Sequence, residues 1–366
     1  MAQWEISYLE RARAESANSG TLYIDLPKSE QISMIMLEFS CYNTAATSRL
    51  YSRTILDVVK SIRVLLEGSK DAYNVQPEVA SYLAWLQAGV MPAHRIRERG
   101  QTMIRVPIIF GRYPRDEEYL LDTAAYSSAQ LQVEYELNTT YETTATTEYT
   151  VWLLRPTKRV SPQGFIRSRI VQEYTSAVAG ETRQVDLPTG LPWLRTGFRV
   201  FDIDAFNNRI VTDVDLNIDQ GRQHIFDGRF KDLETLNKLW NGSQVVGPEH
   251  WVMTLSGDYV QNIMADPDRL LWSDYGAAVS IYNSSAIWSN QHQLTMRDDA
   301  GTAITVALDT AVTAIGGFPF SCYTIGEFGS EPFPAPQHNE AFIEYVTGAY
   351  AALIQTWIQE VVRGAL

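Results

Sequence analysis

The chain has 366 residues, with 30 Lys and Arg against 43 Asp and Glu and a net charge of −13. That length fits about two domains, each able to bury its own core, and the acidic balance argues against a general nucleic-acid binder, which needs concentrated positive charge. Cys41 and Cys322 are too few for a disulfide scaffold and read as small buried thiols.

Residues 1–17 predict an N-terminal helix, with Trp4, Tyr8 and Ala12 at helical spacing. Glu5, Glu10, Arg11 and Arg13 interrupt the apolar run that a secretion signal would need. From Thr21 the sequence turns strand-rich, as TLYIDL and ISMIMLEFSC, with Leu37, Phe39 and Cys41 on one face. Ile62, Val64 and Leu66 predict a strand ending at Gly68, followed by the helix PEVASYLAWLQ, which stops at Gly89. Arg95, Arg97 and Arg99 read as a solvated loop in preference to an anion site. MIRVPIIF is a buried strand and residues 111–122 a polar loop. AQLQVEYEL alternates Leu131, Val133, Tyr135 and Leu137 with polar residues, a half-buried strand whose expected hairpin partner is TEYTVWLL.

A first domain over 18–157 thus gives way to a linker over 158–169, rich in Pro, Gly and basic residues and free of acids. The second domain, 170–335, repeats the first in part. Asp186-Leu187-Pro188 answers Asp25-Leu26-Pro27, and Val214, Leu216 and Ile218 before Gly221 answer the strand before Gly68. KDLETLNKLW, ending before Gly242, answers the first helix. The offset between copies falls from 161 residues at the Asp-Leu-Pro to 153 at the glycine, as expected of diverged duplicates that differ in a loop. Strand-like runs continue through HWVMTL, AAVSIY, HQLTM, TAITVAL and PFSCYTI. Residues 336–366 predict a C-terminal helix, with Phe342, Val346, Leu353 and Trp357 on one stripe. Its length of about 31 Å would cross a bilayer core, but Glu344, Gln355, Gln359 and Glu360 argue against spanning.

Catalytic signals are absent from the sequence. His94, His224, His250, His292 and His338 stand singly, and no zinc, phosphate-loop, dinucleotide or nucleophile-elbow motif occurs. Asp213, Asp215, Asn217 and Asp219 have the spacing that opens a calcium loop, yet Ile218 stands where glycine is required and His224 where Glu is required. Simple strand alternation accounts for them better. Asp266, Asp268, Asp298 and Asp299 could serve a glycosidase only at a set spatial separation. No metal, cofactor or enzymatic activity is expected.

The twin Asp-Leu-Pro openings, the twin strand-glycine-helix units and RVPIIFGRYPRDEEYLLDTAAYSSAQLQVEYEL at 105–137 resemble the double jelly-roll major capsid proteins of tailless icosahedral viruses. The resemblance implies an all-β fold of two tandem eight-stranded jelly-roll barrels with short inserted and terminal helices. It implies a homotrimer forming a pseudo-hexagonal capsomer, made in the host cytoplasm and placed in the virion capsid. Its partners would be neighbouring capsomers, penton and minor capsid proteins, with no specific nucleic-acid binding. On this reading the helix carrying Phe342, Val346, Leu353 and Trp357 faces the capsid interior, where an internal lipid membrane is its candidate partner, or packs on its own barrel. The alternatives are a carbohydrate-binding or glycoside-cleaving double β-sandwich and a viral spike or minor coat protein.

Overall fold

Strand alternation becomes architecture in Leu131, Val133 and Tyr135, which turn inward while Glu134 and Glu136 face solvent. The computed structural model describes residues 3–43, 58–89, 100–137, 142–176, 178–201, 210–240, 249–255, 258–264, 271–276, 280–285, 293–297, 303–307, 322–329, 331–350 and 352–364. The first half comprises β1 (Trp4–Ala14), β2 (Ser19–Asp25), β3 (Gln31–Ile32), β4 (Met34–Asn43), β5 (Val59–Leu66), β6 (Lys70–Val75), helix α1 (Pro77–Ala88), β7 (Gly100–Ile109), β8 (Leu121–Asp122), β9 (Ala129–Glu136) and β10 (Glu142–Pro156). The second comprises β11 (Gly164–Thr175), β12 (Thr182–Asp186), β13 (Trp193–Phe201), β14 (Val211–Ile218), β15 (Gln223–Arg229) and helix α2 (Phe230–Trp240). Six strands follow, β16 (Glu249–Leu255), β17 (Asp258–Met264), β18 (Leu271–Gly276), β19 (Ser280–Ser285), β20 (Gln293–Arg297) and β21 (Ala303–Ala307), and then β22 (Cys322–Glu327), β23 (Ala341–Thr347) and β24 (Leu353–Arg363).

Each half is a pair of four-stranded layers in the same order. β1-β10-β4-β7 in the first half is matched by β11-β24-β13-β22 in the second, and β2-β9-β5-β6 by β12-β23-β14-β15. In both halves the helix follows the last strand of the latter layer. The duplication extends to side chains, since β5 and β14 share the same sequence of buried and half-buried positions. The turns after them use the left-handed conformation at Gly68 (φ 75°) and Gly221 (φ 79°). A parallel contact, Tyr73 with Ser168 and Asn74 with Arg169, joins β6 to β11, so layers of the two halves form one eight-stranded sheet. The major difference lies between α2 and β22, where the described residues include six strands that form separate sheets of four and two.

Between the layers lie Ile35, Leu37, Phe39, Ile62, Val64 and Val151 in the first half. In the second, Phe198, Phe230, Tyr323 and Tyr345 form a cluster with ring centroids 4.6–6.1 Å apart. Face-to-face burial of this kind supplies the main driving force for a sandwich.

Four sequence expectations are corrected here. The predicted N-terminal helix, 1–17, is strand β1, hydrogen-bonded along β10. A spacing of four residues suits both periods, so Trp4 and Tyr8 share a face of a strand as readily as of a helix. The predicted C-terminal helix, 336–366, is the pair β23 and β24 with a break at Gly348. β24 is buried along nearly its whole length, and a strand covered on both faces loses the alternation that marks strands. β9 and β10 are not a hairpin, for β9 pairs with β2 and β5 while β10 pairs with β1 and β4 in the facing layer. β11 begins at Gly164, inside the expected linker, where any Cβ would lie 1.7 Å from the Val362 carbonyl oxygen.

Candidate functional site

The most elaborate arrangement of polar groups lies where the halves meet. Helix α1 is enclosed between its own half and the outer face of β24, β13 and β22, so residues all round it are buried. Arg199 on β13, 7% exposed, donates from Nη2 to Glu78 Oε1 on α1 at 3.1 Å and from Nη1 to Gln355 Oε1 on β24 at 3.2 Å. One turn further along α1, the Tyr82 hydroxyl lies 3.3 Å from Asn237 Oδ1 on α2 and 3.0 Å from Thr324 Oγ1 on β22. The Tyr82 ring meets Trp357 edge-on at 5.9 Å. Burial pushes the Tyr82 phenol far above its ordinary range, so it remains a neutral hydrogen-bonding group. Gly197 makes room for Trp357, whose ring atom Cζ2 would lie 2.4 Å from an added Cβ.

Asn237 also closes an edge. Its Nδ2 donates to the Thr324 carbonyl and its Oδ1 accepts the Thr324 amide, both at 2.7 Å, capping backbone groups of β22 that no described strand pairs. Nearby, Glu360 is 1% exposed and accepts from Arg167 and Arg169, each at 2.9 Å from Nε. Two cations around one carboxylate satisfy the hydrogen-bonding needs of a buried charge. None of Glu78, Tyr82, Arg199 or Glu360 carries a signal in the sequence beyond being polar within an apolar run.

The sequence-derived candidates come together only in part. Val214, Leu216 and Ile218 are buried, which bears out the strand reading of the acidic stretch. Asp215 pairs with His224 Nδ1 at 2.9 Å and raises its pKa; Asp219 accepts from His338 and from the Asn339 amide, and its own pKa is lowered. Among the described residues no group of three or more His, Cys, Asp or Glu is placed to hold a metal. Burial raises the Cys322 thiol strongly, the opposite of an activated nucleophile. Asp266, Asp268, Asp298, Asp299, His94, His292 and the Arg95, Arg97 and Arg99 segment lie outside the described residues.

Phe342, Val346, Leu353 and Trp357 do not form one surface. Phe342 and Val346 are half-buried on β23, Leu353 is exposed, and Trp357 is enclosed beneath α1. The helix that was to face a capsid interior or a membrane is therefore not there, and among the described residues no helix is long and apolar enough to cross a membrane.

One apolar sheet face is only partly covered: its row Leu154, Met34 and Ile109 packs with Ala84 of α1, and Trp152 and Met36 are half-buried against that cluster. On the outer side of β1-β10-β4-β7, Tyr8, Trp152, Met36 and Pro107 form a cross-strand row, with Ile6 beside Tyr8; Ile6 is 57% and Tyr8 54% exposed. An apolar row on an outer face, beside an edge strand that no described strand pairs on its outer side, suits an interface between chains.

No protein-family model and no curated protein matches the chain. Solved structures do. The STIV MCP crystal structure is 12% identical, with a TM-score of 0.55 over 99% of this chain and 98% of that one. A chain in the atomic structure of Sulfolobus Turreted Icosahedral Virus is also 12% identical, with a TM-score of 0.57 over 99% and 92%. PBCV-1 VP54, fitted into a reconstruction of the virophage Sputnik, is 8% identical, with a TM-score of 0.52 over 100% and 96%. The fold is the double jelly roll. The double jelly roll explains why β9 and β10, consecutive in the chain, lie in facing layers, and why the helix stands between the layers' last strands in each half.

Proposed function

We propose that this chain is a structural virion protein, a major capsid protein whose trimers form pseudo-hexagonal capsomers of an icosahedral shell. The observation that carries the reading is the repeated strand order of the two halves, joined through one continuous sheet. Two near-equivalent lobes per chain give six from three copies, a closed shape that tiles a shell with one gene product. The likeness to the capsid chains named above over nearly the whole length supports the same use. Its partners are further copies of itself, then neighbouring capsomers, penton and minor capsid proteins. The polar clusters serve packing between the halves, and the protein has no catalytic duty.

The test is light-scattering mass measurement and electron microscopy of the purified chain. Particles of hexagonal outline at three times 41.3 kDa are expected. A monomer with affinity for glycans would overturn the reading in favour of a carbohydrate-binding sandwich.

A further inference from the structure

The duplication gives each strand of the paired layers, and the helix after them, a counterpart in the other half, yet the joint between the halves is used only once within the chain. That joint has two parts: β6 pairs with β11, and α1 covers the outer face of β24, β13 and β22. The counterpart of β6 is β15, the counterpart of β11 is β1, and among the described residues both are edge strands with one side unpaired. The counterpart of α1 is α2, which buries only one side and leaves Lys231, Thr235 and Trp240 exposed. The counterpart of the face covered by α1 is the partly covered apolar face of β1-β10-β4-β7, where Ile6 and Tyr8 are exposed.

We propose that the second half of one copy docks on the first half of the next by repeating the internal joint, with β15 alongside β1 and α2 against the outer face of β10, β4 and β7. The inference rests on the capsomer reading and specifies its contacts.

Register fixes those contacts to single residues. Trp152 pairs with Tyr8 and Met36, as Trp357 pairs with Ile170 and Gly197, so the two tryptophans are equivalent and Met36 answers Gly197. The offset of 161 residues is the one found at the Asp-Leu-Pro repeat. By the same offset Glu38 stands where Arg199 stands. Along the helices the offset of 153 set by Gly68 and Gly221 places Lys231 where Glu78 stands. The buried Arg199–Glu78 pair therefore recurs between copies with its charges exchanged, as Glu38 facing Lys231. Glu38 already carries Arg105 at 2.7 Å, and Lys231 has no ion pair among the described residues. In the strand joint, Tyr73 and Asn74 opposite Ser168 and Arg169 become Phe226 and Asp227 opposite Ile6 and Ser7. This brings a half-buried phenylalanine to an isoleucine that is 57% exposed, the apolar cross-strand match that stabilises sheets.

The experiment combines cross-linking with a charge exchange. Under mild oxidation the full chain carrying Ile6→Cys and Phe226→Cys should yield covalent trimers, and Tyr23→Cys with Phe226→Cys should not. Lys231→Glu alone should weaken trimer association about tenfold, and adding Glu38→Lys should recover most of that loss. Native-sized trimers that form without the Ile6–Phe226 cross-link, or a Lys231→Glu chain that associates as the parent does, would overturn this inference and leave the capsomer reading standing. A parent chain that remains monomeric would overturn both.

Discussion

Replacing Arg199 by Met tests whether the halves are held as one body by the joint at α1. The substitution keeps an aliphatic stem of similar reach and removes the charge. Arg199 and Glu78 are 7% and 4% exposed, with nitrogen and oxygen 3.1 Å apart. At an effective dielectric constant of about 20 their attraction is about 5 kcal/mol before desolvation. Without the cation, Glu78 is left as a buried, uncompensated carboxylate, and the expected loss is about 3–5 kcal/mol. Adding Glu78→Leu removes the orphaned charge, so the double variant should regain most of that loss even though it carries more substitutions. Guanidinium unfolding followed by tryptophan fluorescence measures both, and the single variant should also separate into two transitions as the halves uncouple. A single variant within about 1 kcal/mol of the parent, or a double variant as unstable as the single, would refute the argument.

Two further outcomes follow from the same geometry. Gly197→Val should force apart β13, β22 and β24 of the second half and displace Trp357 from beneath α1, because its Cβ alone would lie 2.0 Å from the Tyr323 carbonyl oxygen and 2.4 Å from Trp357; limited proteolysis should then cleave within the second half and between residues 157 and 164, and a chain as resistant as the parent would count against it. The pH dependence has two branches. Asp215 raises the His224 pKa, so that pairing contributes fully below the ordinary imidazole value of 6.5 and fades as pH rises through the raised value. Asp219 is lowered by His338 and the Asn339 amide, so its contribution is complete above the ordinary carboxyl value of 3.8 and is lost as pH falls through the lowered one. Melting curves of His224→Gln and Asp219→Asn against the parent should differ most at acidic pH for the first and near neutrality for the second; differences that ignore pH would contradict the assignment.

The sequence carries the duplication clearly because its markers are local. Asp-Leu-Pro, a glycine after a half-buried strand and a glycine ending a helix each state a backbone requirement, and Gly89 does take the left-handed conformation after α1. The terminal segments are misleading for a physical reason. β1 has Trp4, Ile6 and Tyr8 in strand alternation, but Trp4 and Tyr8 are also four apart. β24 is covered by the core on one face and by α1 on the other, so Trp357, Ile358, Gln359 and Glu360 are all buried and no period of two survives. Glu360 and Arg199 illustrate the remaining gap. Each lies inside the molecule only because a partner far away in the chain neutralises it, and sequence spacing does not encode that pairing.

The position of β24 governs when the protein can become competent during synthesis. It lies between β11 and β13 in the middle of the long sheet, although it follows every other described strand in chain order. The first half has all eight of its layer strands once residue 156 has been made, whereas β11, β13 and the buried charges around Arg167 and Arg199 wait for residues 353–363. Contacts of such long sequence separation form late and slowly. A translating ribosome would thus carry a folded first half beside an open second half, which withholds one of the two complementary surfaces until β24 is in place.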